Sequence, residues 1–321
     1  MTNATRAWCT ALVFLVATAA AQAQTYPVRP IRIIVGFSPG GAADVTARLL
    51  GEKYAATWGA NAVVDNRTGA SGIIATDIVA KANPDGYTLG LAALSFAVNP
   101  SIYKVPYDVV KDFTHITITA VNPLVLVVSN NLPVKSVQEY IDLAKAKPDT
   151  LTFASSGTGT SPHLTAELFK LMTGVRIVHI PYKGSTAAHP DLIGGQVNSM
   201  FDTVAATVQL IKNGRLRALG VTSRARSREL PDVPTIAESG VPGYESTSWG
   251  VLYGPARMPH AVMEKIHRET VRALAMPDVK ERLARMGAEP IGNTPAEATQ
   301  YIKSESEKWG KTVRAAGIKS Q

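Results

Sequence analysis

The chain has 321 residues, one cysteine, and a net charge of +8 from 33 Lys and Arg against 25 Asp and Glu. At about 150 residues per domain the length suggests two domains, enough to bury a core without disulfides. No block of like charge marks a nucleic-acid tail, and the Arg-bearing stretch 215–228 reads as strand and solvated loop, so the modest positive field serves to steer small anions.

Taken from the start, residues 1–6 carry one positive charge, 7–20 are apolar, and Ala21-Gln22-Ala23 is a small-residue cleavage pattern. Residues 1–23 are therefore expected to be a secretory signal peptide, too short in its apolar run to span a bilayer. Cleavage after Ala23 removes Cys9 and Arg6, leaving a thiol-free chain of net charge +7. The residues before Cys9, Arg6-Ala7-Trp8, do not suit a lipid-attachment site.

Strand patterns follow at 31–35, 62–65, 88–92, 116–128, 151–154, 177–180, 199–202, 217–221 and 247–253. Helical periods fall between them at 42–50, 137–145, 161–172, 187–193 and 204–212. This alternation predicts an α/β fold with open, mainly parallel sheets. After Pro259 come three helical stretches, 261–275, 278–286 and 295–315, with no strand expected after them. The extended runs 116–128 and 247–253 flank a self-contained α/β block and read as two crossings between lobes. Residues 24–121 and 251–321 are expected to form lobe 1, and 122–250 lobe 2.

One local design occurs twice. The strand 31–35 runs into Gly36-Phe37-Ser38-Pro39-Gly40-Gly41 and a helix, and the strand 151–154 runs into Ser155-Ser156-Gly157-Thr158-Gly159-Thr160 and another. Glycines permit positive φ and close backbone approach, while helix N-termini favour anions. The bland alternative is that strand-to-helix turns simply need glycine. Two facing loops, placed beyond the carboxyl ends of strands, suggest one anion gripped from two sides.

Eight separated motifs then resemble one family. They include Tyr26-Pro27-Val28-Arg29-Pro30-Ile31-Arg32, the 36–44 loop, Asp65-Asn66-Arg67-Thr68-Gly69-Ala70-Ser71-Gly72, Asn83-Pro84-Asp85-Gly86-Tyr87-Thr88-Leu89 and the 155–164 loop. Pro181-Tyr182-Lys183-Gly184, Gly194-Gly195-Gln196-Val197 and Leu230-Pro231-Asp232-Val233-Pro234-Thr235 continue the match. The chain is similar, over nearly all of its mature length, to the tripartite tricarboxylate transporter substrate-binding proteins, or Bug family. The resemblance implies a periplasmic, type II, Venus-flytrap periplasmic-binding-protein fold, monomeric, that passes a small organic mono- or dicarboxylate to membrane permease subunits. It implies a ligand held mainly by backbone groups, hydroxyls and waters. Carried over by motif, the binding residues are Phe37, Ser38, Gly40 and Gly41 on one side and Ser155, Ser156, Gly157, Thr158, Gly159 and Thr160 on the other. Ala70 and Ser95 complete the candidate loops. Ser38, Ala42-Ala43, Thr68, Ser71 and Ala188-His189 depart from the family's usual residues, and these departures bear on ligand choice.

Several candidates carry two readings. Asp44 is either a helix-start carboxylate or a partner for a ligand amine or hydroxyl. Asp202 either caps the 204–212 helix or lines the cleft. His163 either donates to the ligand or braces its loop, Lys183 either pairs with the ligand or sits in solvent, and Phe37 and Phe96 either wall the cleft or fill the core. His115, His179, His189, His260 and His267 show no metal-ligand spacing. No G-x-S-x-G, H-E-x-x-H or P-loop pattern is present, and no cofactor or nucleic-acid partner is expected. A hydrolase triad drawn from Ser155 or Ser161 with His163 and Asp202 fails on geometry, because Ser161 and His163 lie too close along one helix to converge. The rival reading to transport is a sensory receptor that presents the same closed form to a signalling partner.

Overall fold

The computed structural model describes residues 26–318 except Ser38 and Lys183, so the signal-peptide reading, Cys9, and the roles of Ser38 and Lys183 lie outside the described residues. Strands β1 (Ile31–Val35), β2 (Ala62–Asn66) and β3 (Thr88–Ala93) pair in parallel. So do β5 (Thr152–Ser155), β6 (Val178–Pro181) and β7 (Ser199–Thr203). The two parallel groups are joined by long antiparallel strands, β4 (Phe113–Ser129) and β9 (Thr247–Pro255), giving the order β2-β1-β3-β9-β4-β7-β5-β6. β8 (Leu216–Val221) and β10 (Glu289–Pro290) also pair with β4. Parallel pairing is thus a property of the flanks, and every pair made by β4 or β9 is antiparallel. The strand β10 falls between the helical stretches 278–286 and 295–315 rather than after them; two residues carry no readable periodicity, and only the pairing with β4 defines them.

β4 changes partner along its length. Its first part, to Pro123, pairs with β9, and from Leu124 onward it pairs with β7 and β8. Proline cannot donate to a ladder, so Pro123 sits where one set of ladder bonds ends and the next begins. The chain returns nearby: Leu124 and Thr222 exchange backbone and hydroxyl hydrogen bonds, and Ser246 N–H donates to Thr222 C=O at 2.9 Å.

Helices cover the faces. α1 (Ala42–Trp58), α8 (His260–Ala275) and α9 (Pro277–Arg285) enclose one core with Ile31, Ile33, Tyr54 and Leu252. α6 (Ser185–Gly194) and α7 (Val204–Lys212) cover a second, around Val125, Leu192 and Met200. The largest core runs through both halves, under α2 (Ile73–Ala80), α3 (Ser95–Ile102), α4 (Val137–Ala146) and α5 (Ser161–Thr173). The closing helix α10 (Pro295–Ala315) packs on α3, β4 and α5. Its start is fixed by a capping box between Thr294 and Glu297 with Pro295 as the first helical residue. Within it, buried Glu305 accepts both indole N–H groups, Trp249 of β9 and Trp309, each at 2.8 Å. Satisfying this carboxylate ties the returning crossing strand to the last helix.

Candidate functional site

The loop after β1 comes close to a second loop. A Cβ on Gly36 would lie 2.7 Å from the Gly72 Cα, so only glycine lets residues 36–41 and 69–72 touch. Gly41 starts α1 in an extended conformation with no side-chain cap, and Gly40 carries the positive φ of +86°. Asp44 is buried behind them. It accepts from Gly40 N–H at 2.9 Å, from Asn66 Nδ2 at 3.0 Å, and from Arg48 on both oxygens at 2.9 and 3.0 Å. Burial pushes its carboxyl pKa up, but the bonds from Arg48, Gly40 and Asn66 outweigh that and hold it below the usual carboxylate range. Asn66 also donates to Phe37 C=O at 2.9 Å, completing a brace under the loop. Phe37 packs on the core at half-burial. Next to it, Ala70 and Ser71 hold φ of +45° and +54° between Gly69 and Gly72. This left-handed turn is pinned by Asn99 Nδ2 on Ser71 C=O and Thr76 Oγ1 on Gly72 C=O, both at 3.0 Å, the over-determination such strain requires. Ser95 starts α3 beside Gly72.

The loop after β5 uses different chemistry. Gly157 and Gly159 take φ of +130° and +77°; Thr160 starts α5 without a side-chain cap, and its hydroxyl donates to Gly157 C=O at 2.6 Å. Ser155 is fully buried; its Oγ meets His179 Nε2 at 2.7 Å and both the N–H and C=O of Gly157 at 3.1 Å. Gly159 N–H donates to His163 Nδ1 at 3.0 Å, so that N–H is committed to the loop. His163, His179 and Phe153 stack, the two imidazoles 3.9 Å apart. Burial, then for His163 the neighbouring His179, then Lys170 lower both histidines, to about 3 for His163 and about 4 for His179. Both are neutral at pH 7. His163 and Ser155 brace the loop, while Ser156 and Thr158 remain half-buried on its rim.

The two helix starts converge on the crossing strands. Ala42 and Ala43 of α1 line a cavity of about 40 Å³ with Thr119, Asn122 and Ser248. Ser161, opening α5, donates to Ser248 Oγ at 3.2 Å. Gly159 also abuts the end of α3, where an added Cβ would lie 3.2 Å from Ile102 Cδ1.

Asp202, at the carboxyl end of β7, is not the cap of α7; Thr203 is, accepting from Ala206 N–H at 3.3 Å. The Asp202 carboxylate accepts instead from Thr203 N–H, Ser185 Oγ and His189 Nε2 at 2.8 to 2.9 Å. The groups of the drawn triad bond other partners: Ser155 bonds His179, His163 bonds Gly159, and Asp202 bonds His189. Phe96 belongs to the core, packed on Phe113 and Tyr253. Among the described residues there is no group of three metal-ligating side chains, and no helix is long and apolar enough to cross a membrane.

Residues 46–318 match the model of the tripartite tricarboxylate transporter family receptor. Protein BugT of Bordetella pertussis is 39% identical over 300 residues, covering 92% of each chain. The chain belongs to this receptor family. A structure of an R. palustris protein with adipate is similar at TM-score 0.82 and 36% identity, covering 92% of this chain and all of that one. MatC from Rhodopseudomonas palustris with bound malate aligns at TM-score 0.78 and 30% identity, covering 90% of this chain and all of MatC. The two-lobed α/β fold and the binding, non-enzymatic character of the family follow.

Within this receptor fold, Asn66, Arg48, His179 and the floor residues Thr119, Asn122 and Ser248 escaped the sequence reading. Arg48 was legible as an i, i+4 partner of Asp44. His179 sits 24 residues from Ser155 on the adjacent strand, and no local pattern announces that contact.

Proposed function

We propose that this protein is an exported, monomeric receptor that closes around a small organic mono- or dicarboxylate in the periplasm and offers it to membrane permease subunits of the tripartite type. The observation that carries the reading is the convergence at Ser248 of two glycine-led helix starts, neither capped by a side chain. Uncapped helix N-termini are ready anion sites, and a ligand contacting both favours closure by differential contact. The family match supports a carboxylate, as do relatives solved with adipate and with malate. Lobe 1 in this proposal comprises residues up to 121 and from 251, and lobe 2 residues 122–250, with the hinge at the partner change in β4. Ligand contact falls to Phe37, Ser38, Gly40, Gly41, Ala70, Ser95, Ser156, Gly157, Thr158 and Thr160, while Asp44, Ser155 and His163 hold the loops.

A thermal-shift screen of the mature protein against mono- and dicarboxylates tests this. A true ligand at 100 times its dissociation constant adds about 2.7 kcal/mol of stability. No shift with any carboxylate, from a protein shown to be folded, overturns the reading. Export is checked separately by osmotic shock, which should release a chain beginning at Gln24.

A further inference from the structure

The carboxyl ends of β5, β6 and β7 lie side by side, and at the last two the hydrogen-bond direction is fixed. Asp202 is 1% exposed, and its Oδ1 accepts from Thr203 N–H at 2.8 Å and from Ser185 Oγ at 2.9 Å. Its Oδ2 meets His189 Nε2 at 2.9 Å, so the carboxylate is held against rotation. A serine hydroxyl has one proton and two lone pairs. Because the Ser185 proton is committed to a carboxylate oxygen, Ser185 can offer any further partner only lone pairs. Ser185 is itself half-buried at the start of α6, and its segment touches the second loop: a Cβ on Gly157 would lie 3.6 Å from Tyr182 C=O.

We infer that Ser185, oriented by buried Asp202, determines specificity in the binding cleft by accepting a hydrogen bond from a donor substituent, a hydroxyl or ammonium group, on the carboxylate ligand. This rests on the proposed carboxylate-binding function and adds a polarity to it. The 36–41 and 155–160 loops offer N–H groups that suit a carboxylate, whereas the Ser185 corner offers an acceptor backed by a negative charge. A second ligand carboxylate placed there meets lone pairs and the Asp202 charge, while a hydroxyl or ammonium meets a partner. A site built to bond such a group rejects the analogue lacking it, because the polar atom is otherwise left unpaired.

The experiment is calorimetric titration of the mature protein with matched sets of four, five and six carbons: the plain dicarboxylate, its 2-hydroxy and its 2-amino derivative. Succinate, malate and aspartate form the first set. In whichever set binds, at least one substituted member should bind about tenfold or more tightly than the plain acid, the 2-hydroxy and 2-amino arms identifying which donor is read. Ser185→Ala should bring that ratio towards one, and Ser185→Thr, which keeps a hydroxyl, should retain it, with melting curves confirming that both fold. Equal affinity across a set in the wild type, or a ratio unchanged in folded Ser185→Ala, overturns this inference and leaves the carboxylate reading standing. Binding of no member of any set, together with no hit in the wider carboxylate screen, overturns both. A monocarboxylate hit is carried into the same comparison with its own 2-hydroxy and 2-amino derivatives.

Discussion

The two glycine loops share a local plan, strand to glycine turn to helix start, yet they are stiffened by opposite kinds of chemistry. The loop at 36–41 stands on an ionised carboxylate, Asp44, held by Arg48, Asn66 and Gly40. The loop at 155–160 stands on two neutral, stacked imidazoles, with Gly159 N–H donating to an unprotonated ring nitrogen. Both devices fill backbone and side-chain valences inside the loop. They differ in what destroys them. The fold holds the imidazoles neutral against an ordinary value of 6.5, so acid strains this brace from neutral pH downward, whereas Asp44 is ionised in both the folded and unfolded chain until the pH nears 3.8.

The largest expected effect comes from acid. His163 and His179 titrate at about 3 and about 4 in the folded protein, below the 6.5 of the unfolded chain. The unfolded state therefore binds more protons than the native state across that interval, and stability falls as pH falls through it. From pH 7 to pH 5 each histidine that stays neutral costs about 2 kcal/mol. Asp44, whose folded pKa is lowered, contributes stability above the unfolded value of 3.8 and loses it only as pH falls through its folded value, so it adds no slope in that window. Denaturant unfolding at pH 7, 6 and 5 should show the decline, and His163→Gln should reduce the slope while Asp44→Asn leaves it alone. A wild-type slope near zero breaks the comparison.

The next effect tests the charged brace directly. Asp44→Ala leaves Gly40 N–H, Asn66 and Arg48 without their acceptor, and should cost about 2–3 kcal/mol, the scale of hydrogen bonds to a charged group. Urea unfolding at pH 7 measures it. The midpoint should fall, with the m-value unchanged if the native and denatured states keep their surfaces.

How much of this could be read beforehand depends on how local each feature is. The apolar, β-branched runs of β1, β4 and β9 were legible because buried strands need them, and Thr294-Pro295 with Glu297 announced α10 through its own capping chemistry. α1 was read only as far as Leu50, since Gly51 interrupts its helical pattern, and the close contact that favours this glycine, 3.1 Å from an added Cβ to Ala62 Cβ, is with β2. α2 and α3 were missed because IIATDIVA shows little segregation of apolar faces and Pro100 lies inside the second. In the site, loop bracing is one of the two readings His163 carries in the sequence, but His179 and Ser248 arrive from distant strands. Of the glycines at 40 and 41 that could take positive φ, Gly40 turns the chain, while Gly41 has φ −74°.

That difference gives the loops unequal tolerance. Gly159 needs φ +77° and lies against Ile102, so Gly159→Val should strain the backbone by about 1–2 kcal/mol and lower carboxylate affinity more than tenfold. Gly41→Val meets no such strain and should keep the wild-type melting temperature, lowering affinity only by crowding the rim. Paired melting and titration of the two variants separates backbone strain from steric block; equal melting losses would remove the asymmetry.

The smallest effect belongs to Thr158, on the rim of the neutral-braced loop. Its side chain is half-buried, and it adjoins Gly159, whose N–H is already committed to His163. In the proposed site, contact with the ligand at this point would fall to the Thr158 hydroxyl and its own N–H. Thr158→Ala removes the first and keeps the second, so affinity should fall by about 0.5–1.5 kcal/mol, the net contribution of one neutral hydrogen bond. Stability without ligand should stay within about 0.5 kcal/mol of wild type, as for a surface change that breaks no packed contact. A loss of affinity several times larger would mean that the hydroxyl meets the ligand's charge directly, while no loss at all would move the ligand off this rim and onto the 36–41 loop alone.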